Sequence, residues 1–238
     1  MIASAEVSGS FVREQLRAPL TLVLLIAVPA FFVLIFAGII GQFSQALGGT
    51  LATRSATSIS AGWAAAFLSG TLGFFQVSSS RGADRRLAVA GLGAGRVALA
   101  RIAAALLLAA TVSTVAFVTL WLRSGIGHPG HVAVAILAFA LVYIGIGALI
   151  GAFVTSPLEG SLLLMLVFAL DAFSGPQMTS SAAGPGALTP TRRAADLLIA
   201  AGGGHGSPDA DWFGVAAVVV ASLVVALAAF WFAARTRS

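Results

Sequence analysis

The sequence predicts an all-α membrane protein with six transmembrane helices, and three observations lead there. Of its 238 residues, 59% are hydrophobic and only 9% are charged, where a soluble domain carries roughly 25% charged residues. A soluble core of this size cannot hide so much apolar surface, so lipid must be the solvent for much of it. Cutting the chain at its charges leaves long uncharged runs: Leu20 to Ile40, Ile59 to Val77, Ile102 to Leu122, Val132 to Val154 and Trp212 to Ala234. Each matches the roughly 20 residues a helix needs to cross a hydrocarbon core. A shorter apolar run, Ser161 to Phe173, carries Asp171 near its end and completes the set.

The spans are expected at about 20–41, 59–79, 98–122, 132–154, 158–174 and 212–234, forming one transmembrane domain over residues 1–238. Charged residues precede the first span, and Phe31-Phe32-Val33-Leu34-Ile35-Phe36 runs on with no small-residue cleavage motif behind it, so no cleavable signal is expected. With the N-terminus inside, the inner segments hold Arg13, Arg17, Arg81, Arg85, Arg86, Arg96, Arg101, Arg235 and Arg237. The outer ones hold only Arg54, Arg123, Arg192 and Arg193. That bias, with an even number of spans, predicts that both termini are cytoplasmic.

Composition also excludes function classes. All 13 basic residues are arginine, which rules out the phosphate-binding loop G-x-x-x-x-G-K-[ST], whose lysine is obligatory. Cysteine is absent, so thiolate metal sites and disulfides are excluded. The net charge of +5 is dispersed over short loops, and no nucleic-acid partner is expected. His128, His131 and His205 all fall in predicted outer loops. The His128–His131 pair has no third ligand nearby and reads as a turn, so no metal or cofactor site is expected on the chain. Ser69 lies within a span without a His or Lys to activate it, which argues against an intramembrane hydrolase.

Several segments are candidates for function. Val7 to Pro19 alternates apolar Phe11, Val12 and Leu16 with Arg13, Glu14 and Arg17, the pattern of an amphipathic interfacial segment. The Arg81 to Arg101 loop holds Arg81, Asp84, Arg85, Arg86 and Arg96, with Leu87, Val89 and Leu92 spaced for a short helix with one apolar side. A loop that only obeys the positive-inside rule has no need of those apolar residues, so it reads as a docking surface. Gly145, Gly147 and Gly151 form a small-residue face on the fourth span for close helix packing. Asp171 is expected near the outer end of the fifth span, at the interface, as a candidate gate or substrate contact. Ser174 to Asp211 is longer than a turn requires and contains apolar Ala194 to Ala201. It is expected to dip back toward the membrane as a re-entrant outer segment between spans five and six.

This layout resembles the membrane subunit of ABC type-2 exporters. Members join spans two and three by a cytoplasmic segment of the kind R-x-x-G-T-x-x-x-L-x-x-x-P followed by basic residues. Here Arg81-Gly82-Ala83-Asp84-Arg85-Arg86-Leu87-Ala88-Val89-Ala90-Gly91, followed by Arg96 and Arg101, is similar, with Ala83 and Gly91 departing from the pattern. Ser156-Pro157 stands as the tight turn between spans four and five, and Ser174-Gly175-Pro176 and Leu188-Thr189-Pro190 as the outer elements. The resemblance implies an N-terminal interfacial elbow helix at Phe11, Arg13, Leu16 and Arg17. It also implies ATPase docking through Arg81, Asp84, Arg85, Arg86, Leu87, Val89, Leu92 and Arg96. The partners would be separate ABC ATPase subunits carrying ATP and Mg, a second permease chain (identical or not) and membrane lipid. The expected role is export of a hydrophobic or amphipathic substrate, such as a drug or lipid, across a bacterial plasma membrane, with no enzymatic activity of the chain itself. The alternative is a non-transporting six-span membrane protein serving assembly, immunity or sensing.

Overall fold

A computed structural model describes residues 19–46, 53–87, 90–91, 93–174, 189–203 and 212–235. The amphipathic stretch with Phe11, Arg13, Leu16 and Arg17 lies outside the described residues, as do Val89, Leu92 and His205. The described elements are helices. In order they are α1 (Pro19–Phe31), a π-helical turn (Phe32–Phe36), α2 (Ala37–Ala46), α3 (Thr53–Ser78), α4 (Arg81–Leu87) and α5 (Ala94–Ser124). There follow α6 (Pro129–Phe153), α7 (Pro157–Ser174), α8 (Arg192–Gly203) and α9 (Trp212–Ala234).

Local chemistry explains the boundaries. Proline opens both α6 and α7, where its missing N–H is an orphan in any case. Gly125 ends α5 at φ 62, and its N–H returns to Trp121 O, a conformation that glycine alone adopts without strain. Pro29 sits inside α1 and removes one backbone bond. The π turn comes directly after it, and the helical run from 19 to 46 continues through both. Thus the first apolar run is helical throughout but changes its winding in the middle.

Among the described residues, five helices are long and apolar enough to cross a membrane: α3, α5, α6, α7 and α9. Their packing is that of a chain with lipid around it. The interior sets large buried side chains such as Phe74, Phe139 and Tyr143 among many small ones, including Ala56, Ala61, Ala65, Ala105, Ala109, Ala135 and Ala140. Large apolar side chains point outward, including Leu162, Met165, Leu166 and Leu170 on α7 and Phe213, Val220 and Val224 on α9. Water would penalise that arrangement, whereas lipid is as apolar as leucine. Cohesion then comes from close backbone approach.

Helix α6 is the hub, packing against α3, α5, α7, α8 and α9. It runs parallel to α3, as the pairings Gly62–Phe139, Gly73–Ile144 and Gly151–Val77 show. Helix α7 runs back along both, bringing Gly160 to Phe74 and Phe168 to Phe67. The run 19–46 packs on α3 and α5. Helix α8, entered through Thr191 beside Asp171, brings Gly202 beside Ser58. It buries Ala194, Ala195, Leu197, Leu198 and Ala201 against the first halves of α3 and α6. The 31 residues of α5 span about 46 Å at 1.5 Å per residue. This exceeds a 30 Å hydrocarbon core, so α5 must tilt, extend beyond the core, or both.

Candidate functional site

The end of the bundle that gathers α4, the start of α5 and the end of α6 carries a cluster of polar connections between helices. Its construction begins at the close of α3, where Ser79 and Ser80 turn their hydroxyls onto Phe75 O and Gln76 O. That ends the helix without leaving its last carbonyls bare. The Ser80 hydroxyl also lies 3.0 Å from Asp84 Oδ2, and Asp84 N donates to Ser80 O at 2.8 Å. A carboxylate in the first turn complements the positive helix end, so the chain restarts as α4 immediately.

Asp84 is buried, and Arg101 comes to it from α5. Arg101 Nε donates to Oδ1 at 3.1 Å and to Oδ2 at 3.2 Å, and its Nη2 donates to Oδ1 at 2.8 Å. The pair is 4% exposed on the Asp84 side and 11% on the Arg101 side. Removing one member of such a buried pair costs about 3–5 kcal/mol, because the other is left uncompensated. Arg81 acts on a third helix. Its Nη2 donates to Val154 O at 2.9 Å and also to Gly151 O, carbonyls that the end of α6 leaves open. Helix α4 is therefore held to α5 through Asp84 and to α6 through Arg81.

Of the residues expected to dock a partner, Arg81 and Asp84 point into the bundle and fasten the helix. Arg86 and Arg96 are exposed, and Leu87 is half-buried. Arg85 lies on α4, with its side chain outside the described set. Ser80 belongs to the site but was missed by the sequence reading, and Arg101, named there only as a basic residue closing the loop, was not placed among the docking residues. The available signal was the isolation of Asp84, the one acid between Glu14 and Glu159.

Asp171 is 4% exposed, and two hydroxyls meet it. Tyr143 of α6 donates to Oδ2 at 2.8 Å, and the Thr191 hydroxyl donates to the same oxygen at 2.7 Å. The carboxylate thus ties α6 and α7 to the segment entering α8. Tyr143, the chain's single tyrosine, was not singled out in the sequence. Many hydroxyls in the spans are consumed by their own helix: Thr57, Thr71, Thr111, Thr114 and Thr119 each donate to the carbonyl four residues back.

Gly145, Gly147 and Gly151 face two different neighbours. A Cβ on Gly145 would lie 2.5 Å from Ser222 O of α9. One on Gly151 would lie 2.7 Å from Phe74 O of α3, and one on Gly147 would run into Gly70 O. The His131 ring lies 5.2 Å from Trp212 and 5.7 Å from His128. No group of three or more metal-ligating side chains occurs among the described residues. No protein-family model matches the chain, and no curated protein matches it.

Proposed function

We propose that the chain is the membrane-spanning subunit of an ATP-driven exporter of the ABC type-2 class. Six spans are counted by taking the helical run 19–46 as the first, alongside α3, α5, α6, α7 and α9. The basic end, with α4 and the C-terminus of α9, faces the cytoplasm. The insertion of α8 beside the first halves of α3 and α6 supports reading the stretch before the last span as re-entrant. The observation that carries the proposal is the fastening of α4. A short helix between two spans, fixed to α5 by Asp84–Arg101 and to α6 by Arg81, converts a push on its outer face into motion of both spans. Arg86 and half-buried Leu87 form that outer face for an ATPase subunit, which supplies the ATP and Mg chemistry that this lysine-free chain lacks. The substrate is hydrophobic or amphipathic, suited to an interior whose hydroxyls are largely spent on backbone.

Co-expression with an ABC ATPase encoded beside it tests this. The expected result is co-purification and ATP turnover above that of the ATPase alone. An inserted, folded chain that neither binds nor stimulates such an ATPase would favour the non-transporting reading.

A further inference from the structure

We infer that Arg123, at the end of α5 opposite α4, forms a binding site for the phosphate of an anionic phospholipid. The inference is independent of the exporter reading and rests on four observations at one corner of the bundle.

The first is where the guanidinium lies. Arg123 Nη1 donates to Val33 O at 3.2 Å and also to Leu34 O. Both carbonyls belong to the π-helical turn, whose changed winding disturbs the regular backbone ladder. That turn sits in the middle of the run 19–46, so the charge is drawn against the flank of an apolar helix and away from its end. The second is what surrounds it. Leu34, Ile35, Trp121 and Leu122 are exposed by 51%, 50%, 55% and 84%, so the charge sits in a lipid-facing apolar surface. The third is that no carboxylate among the described residues pairs with Arg123: the ion pairs there are Arg101–Asp84 and Arg192–Asp196. A cation at such a surface is costly unless an anion or water reaches it. The fourth is a second cation close by. Arg54 donates through Nη2 to Ser124 O at 3.2 Å, which brings its exposed side chain to the residue next to Arg123.

A guanidinium has five N–H donors in a fixed fork. Arg123 commits Nη1 to the π turn, leaving donors on its other nitrogens for the paired oxygens of a phosphate. The apolar rim then decides the source. A free phosphate has nothing to place on Leu34, Ile35, Trp121 and Leu122, whereas a phospholipid lays its acyl chains there. The π turn thus acquires a role: its carbonyls orient the guanidinium that holds the headgroup.

The test uses the full chain purified in mild detergent, with phosphatidylglycerol and phosphatidylcholine offered in equal amounts and retained lipid counted by native mass spectrometry. The parent should retain phosphatidylglycerol over phosphatidylcholine by about tenfold. Arg123→Gln should abolish that preference, Arg123→Lys should weaken it by losing the fork, and Arg193→Gln should leave it unchanged. Millimolar inorganic phosphate should not displace the bound lipid. Equal retention of the two lipids by the parent, or an unchanged preference in Arg123→Gln, overturns the inference. Displacement by inorganic phosphate also overturns it, since it identifies a plain anion site. Should Arg123→Gln fail to fold, the parent's preference and its weakening in Arg123→Lys and Arg54→Gln decide the matter, and an unchanged preference in both overturns the inference.

Discussion

Tyr143 donates its hydroxyl to Asp171 across 2.8 Å, joining the chain's single phenol to a buried carboxylate on a neighbouring antiparallel helix. Thr191 completes the arrangement from the segment that enters α8. Three parts of the chain, far apart in sequence, therefore depend on one carboxyl group. Its loss should be felt most where the chain is least supported, at Thr191 and the start of α8.

Asp171→Ala should destabilise the protein by about 3 kcal/mol, because it strands two buried hydroxyl donors. Tyr143→Phe should cost less, about 1–2 kcal/mol, since Thr191 still reaches the carboxylate. Limited trypsin digestion reads the consequence directly. Cleavage at Arg192 and Arg193 should accelerate in Asp171→Ala, ahead of cleavage at Arg54. Equal rates in parent and variant would show that Asp171 does not anchor α8.

The Asp84–Arg101 pair should behave as a unit. Each single change, Asp84→Ala or Arg101→Ala, should cost about 3–5 kcal/mol. The double variant should lose far less than the sum, because no charge is left uncompensated. Thermal unfolding in detergent of the parent, both single variants and the double variant closes the cycle. Additive losses would mean that the two side chains stabilise the fold separately.

Glycine substitutions should act with opposite signs at two sites. Gly147→Val forces a branched side chain into Gly70 O and should destabilise by at least about 2–3 kcal/mol. Gly82→Ala, on α4 with nothing within 4 Å of the added carbon, should stabilise by up to about 1 kcal/mol through helix propensity. Melting temperatures of the two variants measure both.

Orientation can be read from single cysteines, since the chain has none of its own. Arg86→Cys and Arg235→Cys, both at exposed positions of the basic end, should react with a membrane-impermeant maleimide only after cells are opened. Gly127→Cys, exposed at the other end, should react on intact cells. Labelling of Arg86→Cys on intact cells would invert the orientation and remove α4 from any cytoplasmic partner.

The docking role makes its own demand. Leu87→Asp should abolish co-purification of the ATPase while membrane expression is retained, because truncating an interface anchor typically costs roughly 1–4 kcal/mol. Arg86→Ala should weaken binding only slightly, since exposed charges contribute little. Parent-like binding and stimulation by Leu87→Asp would leave α4 as a topological anchor only.

The presence and approximate place of the long apolar helices were legible, because the bilayer requires about 20 consecutive apolar residues and tolerates few charges. α3, α5, α6 and α9 contain uncharged runs, and α7 contains the shorter apolar run that carries Asp171. The winding change within 19–46 was less legible. Pro29 signals a disturbance, but the π turn also has Arg123, 90 residues from Val33, donating to two of its carbonyls. At the candidate site, the basic loop stood out, but the inward orientation of Arg81 and Asp84 did not. Arg101 lies 17 residues from Asp84, and no helical spacing links them.

By itself the sequence determined the solvent of this protein, the identity of its long apolar helices, the segregation of its arginines and the absence of a lysine-dependent phosphate loop. These follow from composition and run length, which act locally along the chain. Only the tertiary structure decided that Asp171 is buried between Tyr143 and Thr191, that Asp84 is held by Arg101, and that Gly145 and Gly147 face different helices. The reason is geometric. A polar side chain in an apolar bundle is stabilised by whatever donor the packing brings within about 3 Å, and that donor belongs to another helix whose rotation and depth are set by backbone contact.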